Sequence, residues 1–320
     1  MGNNEIMKAS EFINLFDKAK KRLHWMGDLQ CGVGIALDME GRIFTSLHNE
    51  MLNRVNPEAI AGQSSRNLYL NPGGDVLWPA PEGTSMGYNY SSGSWRVTPG
   101  LIAARYQVIE TTERKAIVEA EIDLVNAAGQ GIPAVFKREI EYIPAENSIT
   151  LKIRESIRYI GARSLNAGEF LIAPWSLCQF DCHSGSEVRF PYTDPQQVWD
   201  LYEDTIGECG LQHGNFYRAI ANGSRRYQIG ISAEVPWIEL TIPDRQLLVL
   251  RTADYLGENL RYIDISDVAP SRHPGSRGIR YSVYSDTSNF MEIEAAGGCP
   301  EFLAPDTETG LIIETKYFKI

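Results

Sequence analysis

Long apolar runs are missing from this 320-residue sequence. No stretch approaches the roughly 20 consecutive apolar residues that a membrane-spanning helix requires. The N-terminal region also lacks an apolar signal-peptide core followed by a small-residue cleavage site. We therefore expect a cytoplasmic protein with no membrane partner. A chain from which an export signal had been trimmed would have the same sequence, so this location is an expectation for the chain as given.

Positive charge is scarce. The sequence has 30 Lys and Arg residues against 41 Asp and Glu residues, which gives a formal net charge of −11. A chain of this charge repels a phosphate backbone unless a local basic patch overcomes the field. We therefore expect no nucleic-acid partner.

Cysteine is also sparse, and its spacing is irregular. The five residues form an odd, scattered set that is not a disulfide framework and fits a reducing compartment: Cys31, Cys178, Cys182, Cys209 and Cys299. Cys178, Cys182 and His183 could begin a metal site that Cys209 and His213 would complete. Structural zinc sites usually have two close-spaced ligand pairs, and the second pair here lacks that spacing. Buried, unreactive thiols are the preferred interpretation, so no metal is predicted.

One strong helical pattern is present, over residues 10–25. Apolar residues recur at helical spacing at Phe12, Leu15, Phe16, Ala19 and Leu23. Ser10 can cap this helix, and basic residues gather toward its end. A surface helix docked on a larger body is expected.

After Gly27 the pattern changes to short alternating segments separated by Gly, Pro and Asn. Residues 149–159 alternate apolar and polar side chains, as a half-buried antiparallel strand does, and residues 118–124 repeat this pattern. The sequence Ala221-Asn222-Gly223-Ser224 predicts a tight hairpin turn. Further predicted strands are 32–38, 42–47, 101–109, 134–143, 169–180, 227–234, 237–242, 246–252, 278–284, 289–295 and 310–318.

Many strands without regularly interspersed helices favour packed antiparallel sheets over a βαβ architecture. No linker or repeat divides the chain. The prediction is a mainly β protein in which an N-terminal helix segment, residues 1–26, packs on one large two-sheet β-sandwich, residues 27–320.

Four short motifs carry a family resemblance: 41–43 (GRI), 71–83 (NPGGDVLWPAPEG), 290–294 (FMEIE) and 303–305 (LAP). They resemble uncharacterised bacterial families related to galactose mutarotase, from about residue 30 to the C-terminus. The resemblance implies a β-supersandwich with a sugar-binding face. It also implies aldose 1-epimerase-type roles, with Arg42 orienting the sugar and a late glutamate, Glu292 or Glu294, as general base.

Glu292 and Glu294 are two positions apart, so in a strand they share a face. If that face is buried, repulsion and desolvation raise one pKa toward neutrality, as a proton carrier requires. A solvated polar face is an equally good interpretation of the same pattern. His213, between Gly210 and Gly214, is the preferred general acid, with His183 second. Either histidine could equally be an ordinary surface or core residue.

Large aromatic residues favour sugar binding, because an aromatic face stacks on the C–H face of a sugar ring. Trp78, Trp95, Trp175, Tyr88 and Tyr90 are candidates, although each could instead fill the core. The predicted substrate contacts are Arg42, Trp78, Glu82, Trp175 and His183.

The predicted function is therefore binding of a mono- or oligosaccharide, with aldose 1-epimerase activity if the protein is an enzyme. That reaction needs only proton transfer, so no cofactor is predicted. The alternatives are a non-catalytic sugar-binding or sensing module and a glycan-processing hydrolase or lyase. The sequence leaves the oligomeric state open.

Overall fold

The computed structural model describes residues 6–65, 67–201 and 204–320. The helices are α1 (Ala9–Ala19), α2 (Pro57–Ala61), α3 (Pro99–Ala103) and α4 (Ile206–Cys209), with 3₁₀ turns at Pro195–Gln197 and Pro243–Arg245. The strands are β1 (Leu23–Gly27), β2 (Cys31–Ala36), β3 (Arg42–Leu47), β4 (Glu50–Met51), β5 (Asp75–Ala80), β6 (Gln107–Thr111), β7 (Lys115–Val125), β8 (Gly131–Ala145), β9 (Ser148–Tyr159), β10 (Ala173–Asp181), β11 (Glu187–Pro191), β12 (Val198–Asp200), β13 (Gly210–His213), β14 (Phe216–Ile220), β15 (Tyr227–Ile231), β16 (Ile238–Ile242), β17 (Leu247–Ala253), β18 (Leu260–Arg261), β19 (Tyr281–Asp286), β20 (Phe290–Ala296), β21 (Cys299–Pro300) and β22 (Glu308–Lys319).

Two large antiparallel sheets form the body. The first sheet has the order β1-β2-β3-β5-β10-β20-β19-β15-β12, with β4 attached to β3. The second has the order β13-β14-β11-β16-β17-β22-β9-β8-β7-β6. The main core lies between them and joins buried apolar side chains of both sheets. The predicted mainly β, two-sheet architecture is confirmed.

The long strands of the second sheet follow the predicted period of two. In β9, Ile149, Leu151 and Ile153 are buried, whereas Lys152 and Arg154 are exposed. The other predicted strands outside 101–109 all overlap observed ones. In the second sheet, apolar alternation identified the strands because one face of that sheet meets the core and the other meets solvent.

Strands β10 and β20 at the centre of the first sheet are covered on both faces. Ser176 and Cys178 of β10 point toward the second sheet, where Ser176 contacts Arg251 and Cys178 contacts Tyr317. Trp175, Leu177 and Gln179 therefore point to the opposite, outer face, because successive residues of a strand alternate. That outer face carries the candidate site described below.

The N-terminal helix is shorter than predicted. It ends at Ala19, because Lys20 adopts a left-handed conformation with φ of 54°, and Leu23 begins β1, which pairs with β2. The N-cap residue is Lys8, not Ser10, and its backbone N–H donates to the Glu11 carboxylate over 3.0 Å. The prediction of a helix over 10–25 is thus wrong beyond residue 19. Leu23 extended the apolar spacing by coincidence.

Two local predictions are wrong. Residues 221–224 do not close a hairpin, because β14 belongs to the second sheet and β15 to the first. The turn, with Gly223 at φ of 73°, instead carries the chain from one sheet to the other. Residues 101–109 also do not form one strand, because α3 occupies 99–103 and β6 starts at 107.

A cluster of buried charges lies between the sheets. The Asp75 carboxylate accepts hydrogen bonds from Arg138 at 2.6 Å and Arg251 at 2.8 Å, and Arg138 also pairs with Glu155 at 2.5 Å. All four side chains are at most 2% exposed. Opposite charges here compensate one another, as buried ions must.

Within the described ranges, no helix has the length and apolar character needed to traverse a bilayer.

Candidate functional site

A cleft of about 630 Å³ opens on the outer face of the first sheet. Strands β5, β10, β15, β19 and β20 contribute its floor, and loops around residues 67–71, 82–95 and 267 form its walls. The residues that line it are Asn67, Leu68, Tyr69, Asn71, Trp78, Glu82, Tyr90, Trp95, Trp175, Leu177, Gln179, Arg226, Gln228, Asp267, Tyr284, Asp286, Ser288, Phe290 and Glu292.

Two tryptophans form the aromatic part of the floor. Trp78 of β5 and Trp175 of β10 are direct cross-strand partners, and their rings meet edge to face with centroids 6.3 Å apart. Trp78 is 8% exposed and Trp175 is 1% exposed, so packing holds both rings rigidly. Tyr69 lies 6.2 Å from Trp78, centroid to centroid. Trp95 stands at the mouth of the cleft, 41% exposed.

Glu292 and Glu294 lie side by side on β20, as the period of two predicts. Glu292 lines the cleft and accepts a hydrogen bond from Gln179 at 2.5 Å. Glu294 lies beneath, fully buried, and accepts from Trp175 at 3.0 Å and from Gln228 at 3.1 Å.

Burial shifts the proton affinity of both groups. It raises the pKa of Glu292 to about 7, against the opposing hydrogen bond from Gln179. Burial and the neighbouring charge of Glu292 hold the pKa of Glu294 well above its usual value. Desolvation and like-charge repulsion both disfavour the ionised carboxylate. Near neutral pH, Glu292 can therefore exchange its proton.

Glu82 provides a second carboxyl group with a shifted pKa. Its Oε1 accepts from the Trp95 indole at 2.7 Å and from Asn89 at 3.4 Å. Burial raises the pKa of Glu82 to about 8, and the charges of Asp267 and Glu292 act in the same direction. The group is thus mostly protonated at neutral pH, on a wall of the same cleft as Glu292.

Two aspartates complete the acidic lining. Asp267 accepts from the Tyr90 hydroxyl at 2.6 Å and from Arg226 at 3.0 Å. Asp286 accepts from the Tyr284 hydroxyl, and Arg226 lies 3.9 Å away. The Arg226 guanidinium is thus shared between two carboxylates of the cleft rim.

Arg42 lies behind the cleft wall and not on its surface. It is 0% exposed, pairs with Glu40 at 2.7 Å, and donates to the Tyr69 hydroxyl at 2.5 Å and the Gly73 carbonyl at 2.6 Å. Glu40 in turn accepts from the Trp78 indole at 3.1 Å. Arg42 therefore positions two aromatic residues of the cleft, whereas the sequence predicted that it contacts the sugar directly.

The two predicted histidines lie away from this cleft. His213 ends β13, the edge strand of the second sheet, and its side chain is exposed. The expected meeting of His213 with the late glutamates does not occur, because β13 and β20 belong to different sheets. His183 lines a separate cavity of about 330 Å³ with Arg54 and Arg245.

The two tyrosine candidates differ in position. Tyr90 lines the cleft, whereas Tyr88 is fully buried and donates to the Leu171 carbonyl at 2.7 Å.

The cysteines considered as ligands are dispersed. Cys178 faces the interior between the sheets, and Cys209 ends α4. In the part of the chain that the structure describes, no three His, Cys, Asp or Glu side chains are arranged to hold a metal ion.

Sequence reasoning missed several cleft residues, notably Tyr69, Gln179, Gln228, Asp267 and Asp286. Gln179 and Gln228 are long polar side chains within buried strands, and this feature of the sequence could have identified them. Tyr69, Asp267 and Asp286 lie in loops or at a strand end, where only the folded structure reveals their neighbours.

Comparison of the sequence with known proteins identifies a family. A family model described as "Family of unknown function (DUF6786)" matches residues 13–236, which is more than half of the chain. No curated protein matches the sequence.

Several solved structures are similar over nearly the whole length. A Synechocystis protein has a TM-score of 0.59 at 12% identity, covering 100% of both chains. A galactose mutarotase-like protein from Lactobacillus casei has a TM-score of 0.55 at 11% identity, covering 92% of this chain and all of its own. A galactose mutarotase-like protein from Clostridium acetobutylicum has a TM-score of 0.53 at 10% identity, covering 94% of this chain and 98% of its own. At these identities the likeness establishes the fold alone, which is galactose mutarotase-like. By the family model, the chain belongs to the DUF6786 family.

Proposed function

We propose that the cleft binds a carbohydrate and that Glu292 and Glu82 exchange protons with it in an aldose 1-epimerase-type reaction. One observation carries this proposal: two carboxyl groups with pKa values near neutrality line the same aromatic cleft. The mutarotase-like fold supports the choice of substrate class without deciding it.

The composition of the cleft suits a sugar. Its volume of about 630 Å³ lies within the range of small-molecule sites. Trp95, 41% exposed at the mouth, offers aromatic surface for the C–H face of a pyranose ring, and Trp78 and Trp175 form the rigid apolar floor beneath it. Carboxylates and amides around these rings can bond the sugar hydroxyls, which both donate and accept.

The proposed chemistry needs two proton transfers. Glu292, as carboxylate, removes the proton from the anomeric hydroxyl, while protonated Glu82 donates a proton to the ring oxygen. The bond between the anomeric carbon and the ring oxygen breaks, and its electron pair stays on the oxygen, leaving an open-chain aldehyde. Rotation and the reverse transfers then close the ring as the other anomer. Protons and electrons balance without a cofactor.

The pKa values suit this division of roles. A base works best when its pKa lies near the working pH, and an acid must still hold its proton there. Glu292 with a pKa of about 7 and Glu82 with a pKa of about 8 meet both conditions between these values. Two carboxyl groups whose surroundings separate their pKa values are a recurring acid–base arrangement.

Other predicted residues take supporting roles in this proposal. Glu294, buried beneath Glu292, fixes Trp175 and Gln228 by accepting their hydrogen bonds. Arg42 and Glu40 fix Trp78 and Tyr69. Glu82 takes the acid role for which the sequence favoured His213.

Polarimetry tests the proposal. We expect the protein to accelerate the change in optical rotation of freshly dissolved α-aldoses, and Glu292→Gln and Glu82→Gln each to reduce the rate by at least about 100-fold, as loss of a general acid or base does. Glu314→Gln is the matched control, because Glu314 lies on β22 in the other sheet and pairs with surface lysines. Saturable sugar binding without acceleration would favour the non-catalytic module. New reducing ends released from an oligosaccharide would favour a hydrolase.

A further inference from the structure

The cleft is strongly acidic among its described lining residues. Four carboxyl groups face it: Glu82, Asp267, Asp286 and Glu292. The cation among these residues, Arg226, already pairs with Asp267 at 3.0 Å and lies 3.9 Å from Asp286. The lining thus holds more negative than positive groups before any ligand binds.

These carboxyl groups act on one another. The charge of Asp267 and that of Glu292 both act on Glu82, and the charge of Asp286 acts on Glu292. Repulsion among partly buried like charges is costly, and a bound cation relieves it.

The floor of the cleft also has an excess of hydrogen-bond acceptors. Gln179 is 2% exposed, and its Oε1 has no partner among the described residues, while its amide nitrogen is used by Glu292. A buried acceptor without a donor is unfavourable, so a ligand that brings N–H or O–H groups gains here.

We propose that the ligand of this cleft is an amino sugar, a hexose whose ammonium group lies among the carboxylates of Asp267, Asp286 and Glu292. This inference rests on the proposed sugar-binding function and specifies its substrate class. The ammonium donates charge-assisted hydrogen bonds to the carboxylates, and the remaining hydroxyls serve the other acceptors. A sugar phosphate or uronate would instead add negative charge to an acidic cleft.

Calorimetric titration separates the substrate classes. The probes are D-glucosamine in its ammonium form, D-glucose, N-acetyl-D-glucosamine and D-glucose 6-phosphate. We expect glucosamine to bind at least about tenfold more tightly than glucose, since one charge-assisted hydrogen bond supplies such a factor. N-acetylation should remove the advantage, and the phosphate should bind most weakly.

The outcomes distinguish the two proposals. If glucose or its phosphate binds as tightly as glucosamine, the amino-sugar inference is overturned while sugar binding stands. If none of the four sugars binds, the proposed function itself fails.

A proton-release measurement gives an independent readout. The charged or titratable groups that act on Glu292 or on Glu82 are Arg42, Tyr90, Asp267, Asp286 and Glu294. Because Glu292 is partly protonated near neutral pH, an ammonium group that favours its ionised form must displace protons on binding. Titrations in two buffers of different ionisation enthalpy should show proton release with glucosamine and little with N-acetyl-D-glucosamine. Equal proton release with both sugars would overturn the inference.

A substitution tests the carboxylate directly. Asp267→Asn removes one charge at nearly constant shape, and we expect it to lower the preference for glucosamine over N-acetyl-D-glucosamine by about tenfold. Glu314→Gln should leave that preference unchanged. An unchanged preference in Asp267→Asn, in a protein that melts like the wild type, would contradict the assigned role of the carboxylates.

Discussion

The buried charges between the two sheets allow a quantitative test of the fold. Substituting Asp75 with asparagine keeps the size of the side chain and removes its charge. In the native protein this carboxylate accepts from Arg138 at 2.6 Å, from Arg251 at 2.8 Å and from Ser176 at 3.1 Å. After the substitution, Glu155 alone opposes two buried guanidinium groups in the cluster.

The expected loss of stability is large because the cluster is buried from solvent. Removing one partner of a buried ion pair leaves an uncompensated charge and typically costs about 3–5 kcal/mol. The asparagine oxygen can still accept hydrogen bonds, but its amide nitrogen then points a donor at other donors. We expect Asp75→Asn to lower the free energy of unfolding by about 3–5 kcal/mol.

Urea denaturation followed by tryptophan fluorescence measures this change. The matched control is Asp306→Asn, because Asp306 pairs with Arg158 at 3.0 Å while 79% exposed, and an exposed pair contributes at most about 1 kcal/mol. Although burial acts to raise it, Arg251 and Arg138 hold the pKa of Asp75 below its usual value. The stabilisation is thus complete above about pH 4 and is lost as the pH falls through that lowered pKa. Equal losses in the two variants, both near 1 kcal/mol, would refute this account of the cluster.

Three further predictions concern the site and the loop beneath it. His213→Ala should leave mutarotation unchanged in the polarimetric assay, because this side chain is exposed on the edge of the second sheet; a large loss would contradict the assignment of the cleft. The mutarotation rate should peak between about pH 7 and 8 and fall on both sides, as Glu292 gains its proton below and Glu82 loses its proton above; a plateau extending above pH 8 would exclude Glu82 as the acid. Gly73→Ala should lower the melting temperature more than Gly214→Ala, because both have positive φ but a Cβ at position 73 would lie 2.1 Å from a backbone oxygen and one at 214 meets nothing within 4 Å; equal melting temperatures would refute the close approach.

The most reliable predictions from the sequence were the strands that have one solvent-exposed face and one buried face. In β9 the alternation of Ile149, Leu151 and Ile153 with charged residues is a direct consequence of that asymmetry. Strand β5 was missed because it is buried on both faces and contains Pro79, so neither alternation nor composition identifies it. Its residue Trp78 was nevertheless selected, on chemical grounds.

The pairing of strands could not be derived from local pattern. Glu292 and Glu294 were placed on one face from their spacing alone, and the structure agrees. His213 was grouped with them because imidazole suits proton transfer, but chemistry does not determine which sheet a strand joins. The Asn222-Gly223 turn illustrates the same limit, since a turn signal marks a change of direction and not the destination of the chain.

Paired strands are close in sequence in one part of the second sheet and far apart in sequence at the cleft. This difference affects the order in which the two parts can form during synthesis. Strands β7, β8 and β9 are consecutive neighbours, so this meander can form soon after it leaves the ribosome. The cleft instead depends on contacts such as that between Gln179 and Glu292, which are 113 positions apart. We therefore expect the binding floor to be completed only near the end of translation, and nascent chains released before β20 to retain the meander while lacking Glu292.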